Sequence, residues 1–414
     1  MLSQLIQSLI VFWQSLPELV QLLLWAVFLF GGIATLGQAA VVFMVLMERK
    51  VLAWLTQRKG PNRVGPFGLL QTVADGVKLL FKEDIMAAAQ DKWLFTLAPV
   101  IFFLPAFVLL ALLPFTDVLM AIALPVGALL FLALSSISVI GVVLAGWASN
   151  NKYSLIGGMR SAAQAISYEI PLGMSMLAVV IFAGTMNLRD IVELQSSGWG
   201  AFGWYGLMLP ISFIVFFISA IAEVNRVPFD LPEAESELVS GYNTEYSGMK
   251  FAMFFLAEYA ALFGMSVLMA TLFFGGYTSP LGGLLIEKLG MVEALNTGLG
   301  APIQLGSLLR QAEMLTWLMA KTYIFIFIAM WIRGTLPRLK PDELMSFCWK
   351  FLIPVSLLNV LLVSAQKMYV KTHALGYLVL GIAVLVLGLG GFIWFTGRMF
   401  NASLRKRFQV KPVA

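Results

Sequence analysis

Three glutamates within apolar segments are the residues of this chain best suited to chemistry. Glu169 lies in QAISYEIPLG, Glu258 lies in FFLAEYAAL, and Glu223 closes a third apolar segment. A charge at the centre of a bilayer costs at least about 2.5–3.5 kcal/mol, so such a group is a candidate for function. Because neighbouring carboxylates in a low dielectric titrate together and can exchange protons, the three glutamates predict a proton path. Alternatively, Glu169 and Glu258 each hold two helices together through a hydrogen bond or an ion pair, with Lys321 as an available partner.

More carboxylates lie in the stretch AEVNRVPFDLPEAESELVSGYNTEYSGMK, residues 222–250. Pro228 and Pro232 prevent the preceding helix from continuing, and Pro232 can begin a short new helix with acids near its positive end. A solvated loop would also contain acids and prolines, but this stretch mixes them with apolar and tyrosine side chains. Part of it is therefore expected to pack against other protein. Its acids are Glu223, Asp230, Glu233, Glu235, Glu237 and Glu245.

The loop over residues 48–92 is the second unusual segment. Its residues 67–82 place apolar side chains on one stripe, which predicts an amphipathic helix at the membrane surface. A Gly/Pro-rich turn precedes this helix and carries Arg58, Lys59 and Arg63. Such basic residues commonly meet lipid head groups. Alternatively, the helix and the turn form the mouth of a cavity for a lipid-soluble molecule.

The elements that position these residues must be membrane helices. Of the 414 residues, 60% are hydrophobic and only 12% are charged, whereas soluble domains carry roughly 25% charged residues. A helix needs about 20 apolar residues to cross a hydrocarbon core of ~30 Å. The sequence predicts an all-α polytopic membrane protein, with residues 1–414 forming a single membrane domain. Nine candidate transmembrane helices lie roughly at 20–47, 94–115, 118–147, 160–184, 205–224, 251–274, 313–332, 346–365 and 374–397. Residues 2–16 are expected to form a short helix in the membrane interface.

The distribution of basic residues predicts the orientation. When successive loops are assigned to alternate sides, 21 of the 27 basic residues fall on the side of the first loop and of the C-terminal tail. The positive-inside rule then places the C-terminus in the cytoplasm or its organellar equivalent. The acidic stretch 223–250 lies on this same side, which the rule permits because acidic residues weigh little in it.

Two residue counts exclude several kinds of site. The chain has one cysteine, Cys348, and one histidine, His373. An iron–sulfur cluster needs about four thiolates, and a structural zinc site needs about four Cys or His ligands. The sequence also lacks the glycine-rich phosphate-binding loops of nucleotide sites. Electrons for any redox reaction must come from another chain. Cys348 is expected to be a small buried packing residue, and His373 an ordinary loop residue.

Three long segments of the chain resemble one family. They are ERKVLAWLTQRKGPNRVGPFGLLQTVADGVKLLFKED, GWASNNKYSLIGGMRSAAQAISYEIPLG and AEVNRVPFDLPEAESELVSGYNTEYSGMKFAMFFLAEY. These segments are similar to the signature segments of the quinone-channel membrane subunit of respiratory complex I. This is the family of the H subunit of NADH:quinone oxidoreductase and of mitochondrial NADH dehydrogenase subunit 1. Two features go beyond its eight-span pattern: the long outward loop at 275–312 and the extra C-terminal span at 374–397.

The resemblance implies a non-redox subunit of a proton-translocating NADH:quinone oxidoreductase, an enzyme complex in which this chain alone has no activity. The first loop then helps to form the quinone chamber, and the family's buried glutamate chain carries the signal of quinone reduction towards antiporter-like subunits. By position, the chamber residues are Arg49, Asp75 and Lys78, with Arg58 and Arg63 nearby. The glutamate chain falls on Glu169, Glu223 and Glu258, with Asp230, Glu233, Glu235, Glu237 and Glu245 of the acidic loop between chamber and chain.

The resemblance also implies the cofactors, partners and location. Quinone is the substrate, no cofactor or metal is bound by this chain, and FMN and the iron–sulfur clusters belong to partner subunits. The implied partners are the subunit with the terminal cluster, the peripheral subunits of the quinone site, and small membrane subunits that lead to the antiporter-like subunits. Membrane lipids are also expected partners, and nucleic acid is not. The implied location is the bacterial inner membrane, with the mitochondrial inner membrane as the alternative.

Two other functions are compatible with parts of the sequence. A similar subunit occurs in membrane-bound hydrogenases and other electron-input relatives, some of which use no quinone. The complete VPFDLPEAESELVSGYNTEYSGMK and KGPNRVGPFGLL segments favour the quinone-linked branch. A free-standing ion transporter would be expected to show paired, interrupted spans in its two halves, and the sequence has no such repeat.

Overall fold

The computed structural model describes residues 17–122, 124–196, 200–232, 238–281 and 305–370. The described residues form helices and turns without a β-strand, so the predicted all-α class is confirmed. Several predictions lie outside these residues: the interfacial helix at 2–16, the span at 374–397, the middle of the 275–312 loop, and the residues Glu233, Glu235, Glu237 and His373.

The described helices occur in the following order along the chain. They are α1 (Glu18–Leu55), α2 (Gln71–Phe81), α3 (Lys92–Leu112), α4 (Gly127–Ala148), α5 (Lys152–Ala183), α6 (Leu188–Ser196), α7 (Tyr205–Met208), α8 (Pro210–Glu223), α9 (Gly248–Phe273), α10 (Leu305–Thr335), α11 (Pro341–Phe347) and α12 (Ile353–Val370). A π-helical turn, Cys348–Leu352, joins α11 to α12, and short 3₁₀ turns lie at Pro66–Gly68, Gly200–Gly203 and Gly241–Asn243.

Six helical stretches in the described part of the chain are long and apolar enough to cross a membrane. These are α3, α4, α5, α9, residues Gly306–Thr335 of α10, and Pro341–Met368, which runs from α11 into α12. The predicted first span lies within α1, whose 38 residues correspond to about 57 Å at 1.5 Å per residue. This length exceeds a hydrocarbon core of ~30 Å, and α1 therefore extends into the predicted first loop.

The structure corrects several predicted boundaries. The helix α5 begins at Lys152 instead of 160. The span predicted at 205–224 is broken at Leu209, because α7 ends at Met208 and α8 begins at Pro210, which has no N–H to continue the ladder of α7. The next two corrections concern helices that begin later or earlier than predicted: α4 begins at Gly127 instead of 118, and α10 begins at Leu305, within the predicted outward loop. The first-loop helix begins at Gln71 instead of 67. Positive φ angles at Gly65, Phe67 and Gly68 prevent α-helical geometry before it.

Two hydrophobic clusters form the interior. The larger one is centred on α3, α4 and α9, and it includes the fully buried rings of Phe95, Phe131 and Phe254. The smaller cluster joins α5 and α8 to the acidic loop, to α11 and to the π-helical turn. Its buried members are Tyr168, Val215, Ile221, Ala222, Phe229, Leu231, Leu344, Cys348 and Leu352.

The acidic loop packs directly on α5. A Cβ on Gly157 of α5 would lie 2.7 Å from the Cα of Gly241 and 2.8 Å from the nitrogen of Tyr242. Only glycine at position 157 allows the two backbones to come this close. The hydroxyl of Ser154, also on α5, donates to the Tyr242 carbonyl at 3.1 Å. This contact fixes the backbone of Tyr242 relative to the bundle.

Candidate functional site

Glu223 and Glu258 line one cavity inside the bundle. The cavity has a volume of about 40 Å³ and lies among α3, α4, α8 and α9. Besides the two glutamates, its polar lining consists of Ser135, Ser138 and Asn225, and phenylalanine, leucine, alanine, valine and methionine residues form the apolar lining. Two of the three glutamates that the sequence analysis singled out are therefore brought together, although 35 positions separate them in the chain.

Glu258 is held by a tyrosine of the acidic loop. It lies on α9 and is only 7% exposed. The Tyr242 hydroxyl donates to its Oε1 atom at 2.7 Å. The ring of Tyr242 is fully buried and packs on Phe254 and Phe102, with centroids 5.4 and 6.5 Å away. The orientation of Glu258 therefore depends on the acidic loop.

Glu223 is the last residue of α8. The helix ends there because Asn225 adopts a positive φ of 53°, before the chain reaches Pro228. Gln164 of α5 fixes this turn: its amide nitrogen donates to the Ala222 carbonyl at 2.7 Å and to the Phe229 carbonyl at 2.6 Å. The Oε2 atom of Glu223 is buried, and no donor among the described residues reaches it.

Glu169 lies at the edge of the same region. It is half-buried on α5, where the Ser136 hydroxyl of α4 donates to its Oε1 atom. It is close enough to act electrostatically on Glu223. Its neighbour Ile170 is 37% exposed, so this face of α5 points out of the bundle. Glu169 is thus a neighbour of Glu223, and Glu223 shares the cavity with Glu258.

The described acids of the loop between α8 and α9 each have a partner. Asp230 accepts from Arg338 at 2.7 Å, and the Asn151 amide at the start of α5 donates to Glu245 at 2.7 Å. Tyr246 stacks on Phe95 of α3 with a centroid distance of 4.0 Å, and burial raises the pKa of its hydroxyl. The prediction that part of this stretch packs against other protein is confirmed within the chain itself.

In the first loop, an ion pair and a hydrogen bond hold polar residues in place, and apolar residues are exposed. Arg49 at the end of α1 pairs with Asp75 on α2 at 2.5 Å, and Lys50 donates to the Phe67 carbonyl at 2.6 Å. The remaining predicted chamber residues, Arg58, Arg63 and Lys78, are exposed on the same loop. The apolar stripe that runs from the turn before α2 along this helix is also exposed, with residue exposures of 47–87%, at Phe67, Leu70, Val73, Val77, Leu80 and Phe81.

Glu48 is a central charged residue that the sequence analysis missed. It is 3% exposed at the end of α1, and Arg226 of the acidic loop donates to both of its oxygens at 3.1 and 3.2 Å. Arg333, near the end of α10, also pairs with it. The guanidinium of Arg226 lies 4.3 Å from the ring centroid of Tyr259, the neighbour of Glu258. Glu48, Arg226 and Arg333 are far apart in the sequence, and each follows an apolar segment. No spacing pattern in the sequence therefore links these three residues.

Lys321 does not pair with the buried glutamates. Its ammonium donates to the carbonyls of Phe274, Gly276 and Thr278, at 2.7, 2.8 and 2.6 Å, and lies 4.6 Å from the ring centroid of Trp204. These carbonyls follow the C-terminal end of α9, where the helix dipole also favours a cation. The structure therefore supports a scaffold role for Lys321 and excludes it as the partner of Glu169 or Glu258.

Cys348 is buried, as predicted, and also forms a specific contact. Pro171 has no N–H, so the Ser167 carbonyl of α5 lacks its usual helical donor. The Cys348 thiol donates to that carbonyl at 3.1 Å. Among the described residues, no group of three or more His, Cys, Asp or Glu side chains could hold a metal ion.

Comparison with known proteins gives one consistent family. Residues 28–364 match the family model described as NADH dehydrogenase. The chain is 51% identical over 329 residues to the H subunit of NADH-quinone oxidoreductase from Brevibacillus brevis, covering 80% of this chain and 89% of that one. It is 49% identical over 321 residues to NADH-quinone oxidoreductase subunit 8 of Rhodothermus marinus, covering 78% and 91%. A third relative, the H subunit of the same enzyme from Bacillus mycoides, is 49% identical over 345 residues, covering 82% and 94%.

Proposed function

The chain belongs to the NADH dehydrogenase family whose relatives above are NADH-quinone oxidoreductase subunits, and we propose that it couples quinone reduction to proton translocation through its buried glutamates. As a member of this family it is a membrane subunit of an NADH-quinone oxidoreductase. Its contribution to that enzyme is non-redox: it forms part of the quinone chamber and transmits the effect of quinone reduction to a proton path.

The cavity shared by Glu223 and Glu258 is the observation that carries the proposal. A water molecule needs at least roughly 10–15 Å³ of such volume, so about 40 Å³ admits about three. Serine and asparagine side chains in the lining, together with the buried Oε2 of Glu223, supply the polar partners that such waters require. Hydration would connect the two carboxyl groups by hydrogen bonds, along which a proton can move.

The quinone chamber is assigned to the first loop. A quinone has a polar head and an apolar tail, and the loop offers Arg49, Asp75 and Lys78 beside the exposed apolar stripe of α2. Arg58 and Arg63 lie on the preceding turn. We assign the head group to this polar edge and the tail to the apolar stripe.

The signal from the chamber reaches the glutamates through charge. Arg49 of the chamber directly follows Glu48, which pairs with Arg226 of the acidic loop. Reduction of the quinone changes the charge in the chamber, and the acidic loop responds because its position depends on ion pairs. Tyr242 of that loop holds Glu258, so a shift of the loop changes the hydrogen bonding of the proton path. Asp230, Glu233, Glu235, Glu237 and Glu245 are the acids assigned to this step.

The family and one exposed face of α5 support the proposed partners and location. Glu169 is half-buried on a face of α5 that points out of the bundle, so a neighbouring membrane subunit is expected to cover it. Peripheral subunits with the terminal iron–sulfur cluster and FMN supply the electrons. The relatives named above come from bacteria, which favours the bacterial inner membrane. The C-terminus is assigned to the cytoplasm by the distribution of basic residues.

Removing the ionisable groups of the cavity tests the proton path. We expect Glu223→Gln and Glu258→Gln to suppress proton translocation and NADH:quinone turnover while the complex still assembles. Proton uptake is measured in membrane vesicles, and the content of the chain is measured in the same membranes. Glu193→Gln is the matched control, because Glu193 is an exposed carboxylate of α6 that pairs with Arg189 four residues away. Full pumping by both cavity variants would overturn the proposal.

Identification of co-purifying chains separates this function from the alternatives. Gentle purification of the chain is expected to recover an NADH-oxidising flavoprotein together with iron–sulfur proteins. A hydrogenase module in their place would indicate the other electron-input branch. A chain that transports ions when purified alone would contradict both assignments.

A further inference from the structure

Residues 338–349, which we call the bridging segment, contact two parts of the candidate site at once. The segment comprises the end of the α10–α11 connection, α11, and the first two residues of the π-helical turn. One end touches the acidic loop, and the other touches α5 immediately before Glu169. None of the roles assigned above uses this segment as a unit.

The first contact joins the bridging segment to the acidic loop. Arg338 pairs with Asp230 through Nη2 and Oδ2 at 2.7 Å. The backbone N–H of the next residue, Leu339, donates to the Pro228 carbonyl at 3.1 Å. An ion pair and a backbone hydrogen bond thus fix this end of the segment to residues 228–230.

The second contact joins the bridging segment to α5. The Cys348 thiol donates to the Ser167 carbonyl, which Pro171 leaves without its helical donor, at 3.1 Å. The indole N–H of Trp349 donates to the Ser167 hydroxyl oxygen at 3.3 Å. The Tyr168 hydroxyl donates to the Leu344 carbonyl at 3.1 Å. Three hydrogen bonds therefore hold the two residues that precede Glu169.

Apolar packing connects the contacts at the two ends of the bridging segment. Tyr168, Leu344 and Cys348 belong to the smaller hydrophobic cluster, which also contains Phe229 of the acidic loop. Tyr168 and Cys348 are fully buried, and the ring centroid of Tyr168 lies 5.5 Å from that of Phe229. Tyr168 therefore contacts the acidic loop with its ring and the bridging segment with its hydroxyl. Because packed interiors deform little, a displacement of one of these three elements is transmitted to the others.

We propose that the bridging segment is a positioning element that sets Glu169 relative to the acidic loop, with Cys348 and Tyr168 as its positioning residues. The inference rests on the proposed role of Glu169 in the proton path. Pro171 has no N–H, which leaves α5 with one fewer helical hydrogen bond next to Glu169. The Cys348 thiol replaces that bond from outside the helix, and the position of Glu169 then depends on where the bridging segment lies.

Substitution of Cys348 in the intact complex tests the inference. Cys348→Ala removes the donor to Ser167, and Cys348→Ser keeps one. A hydrogen bond of ordinary net strength with a weak thiol donor corresponds to about a two- to fivefold change. We expect Cys348→Ala to lower proton translocation in native membrane vesicles by this factor and Cys348→Ser to restore it. NADH oxidation with ferricyanide, which reports the flavin-bearing partner, should not change.

A combination with Glu169→Gln separates positioning from a general structural effect. If Cys348 acts through Glu169, Cys348→Ala causes no further loss when Glu169 is already glutamine. A further loss of the same size in that background, or failure of Cys348→Ser to restore translocation, would contradict the inference. The matched control is Ser356→Ala, which removes a buried hydroxyl that donates to the Ile353 carbonyl of its own helix, α12. This control is expected to pump normally.

The outcomes distinguish the inference from the proposed function. Full pumping by Glu169→Gln would remove Glu169 from the proton path and the inference with it. Loss of pumping by Glu169→Gln together with normal pumping by Cys348→Ala would overturn only the inference. If Cys348→Ala does not assemble, Tyr168→Phe takes its place, because it keeps the ring contact with Phe229 and loses only the hydroxyl that reaches Leu344. Normal pumping by Tyr168→Phe would then count against the inference.

Discussion

The ion pairs of two consecutive residues, Glu48 and Arg49, should differ strongly in their effect on stability. The side chain of Glu48 is 4% exposed and that of its partner Arg226 is 10% exposed. The pair of Arg49 with Asp75 is much more open, with side-chain exposures of 44% and 26%. Breaking a buried pair by removing one partner typically destabilises a protein by about 3–5 kcal/mol, whereas an exposed pair contributes about 0–1 kcal/mol.

The expected destabilisation by Glu48→Gln is therefore about 3 kcal/mol. We take the lower end of the range for two reasons: glutamine keeps an oxygen that can accept from Arg226, and Arg333, the other partner, is 37% exposed. If half of the effect falls on the unfolding rate, about 1.5 kcal/mol corresponds to a roughly tenfold faster loss of the folded complex. Asp75→Asn, the matched control, should accelerate the loss by less than about threefold on the same reasoning.

The assay is the half-life of NADH:quinone reductase activity in detergent extracts at one raised temperature. A half-life is the appropriate quantity because large membrane complexes lose activity irreversibly. Failure of the Glu48→Gln complex to assemble, with normal assembly of Asp75→Asn, would agree with the predicted order. A Glu48→Gln half-life equal to that of Asp75→Asn would refute the reasoning that burial makes the Glu48 cluster the stronger one.

Two further predictions concern Lys321 and the exposed apolar stripe of α2. Lys321→Met leaves three carbonyls after α9 without their donor, and each unsatisfied carbonyl costs about 1–3 kcal/mol, so we expect destabilisation by at least about 3 kcal/mol. It should appear as a shortened half-life in detergent extracts, and a normal half-life would show that other groups satisfy these carbonyls. Val77→Asp places a charge in the exposed apolar stripe of α2, where the proposed quinone tail would cover Val77. We expect kcat/KM for quinone to fall about tenfold, because that factor corresponds to the free energy of burying one valine side chain. Ala74→Ser on the same helix is the control, and equal kcat/KM values for the two variants would remove the stripe from the quinone site.

The sequence was most informative about features that depend on single segments. Apolar length decides whether a helix can cross a membrane, and it is a property of consecutive residues, so α3, α5 and α9 match predicted spans within a few positions at most ends. The start of α5 is an exception, because its polar first turns at Lys152 and Ser154 are not part of an apolar run. Helix breaks were less predictable, as in the separation of α7 from α8 at Leu209.

The candidate site was only partly predictable, because it combines features of single segments with contacts between distant segments. Glu169, Glu223 and Glu258 stand out because a carboxyl group inside an apolar segment is unusual wherever it points. Glu48 does not stand out, because it lies at the end of α1 among other charged residues. Its importance depends on Arg226, which is 178 positions away and reaches it only after α1 and the acidic loop have packed together.

By itself the sequence determined the class of the protein, its family, and the three glutamates that a membrane would have to accommodate. Composition, apolar length and long motifs carry this information without reference to a partner segment. The tertiary structure alone decided which groups meet. It gave Lys321 three carbonyl acceptors in place of a glutamate, placed Glu223 and Glu258 on one cavity, and gave Cys348 the carbonyl that Pro171 leaves open. These contacts join segments far apart in the chain, and they depend on how helix faces pack against each other, which no local pattern records.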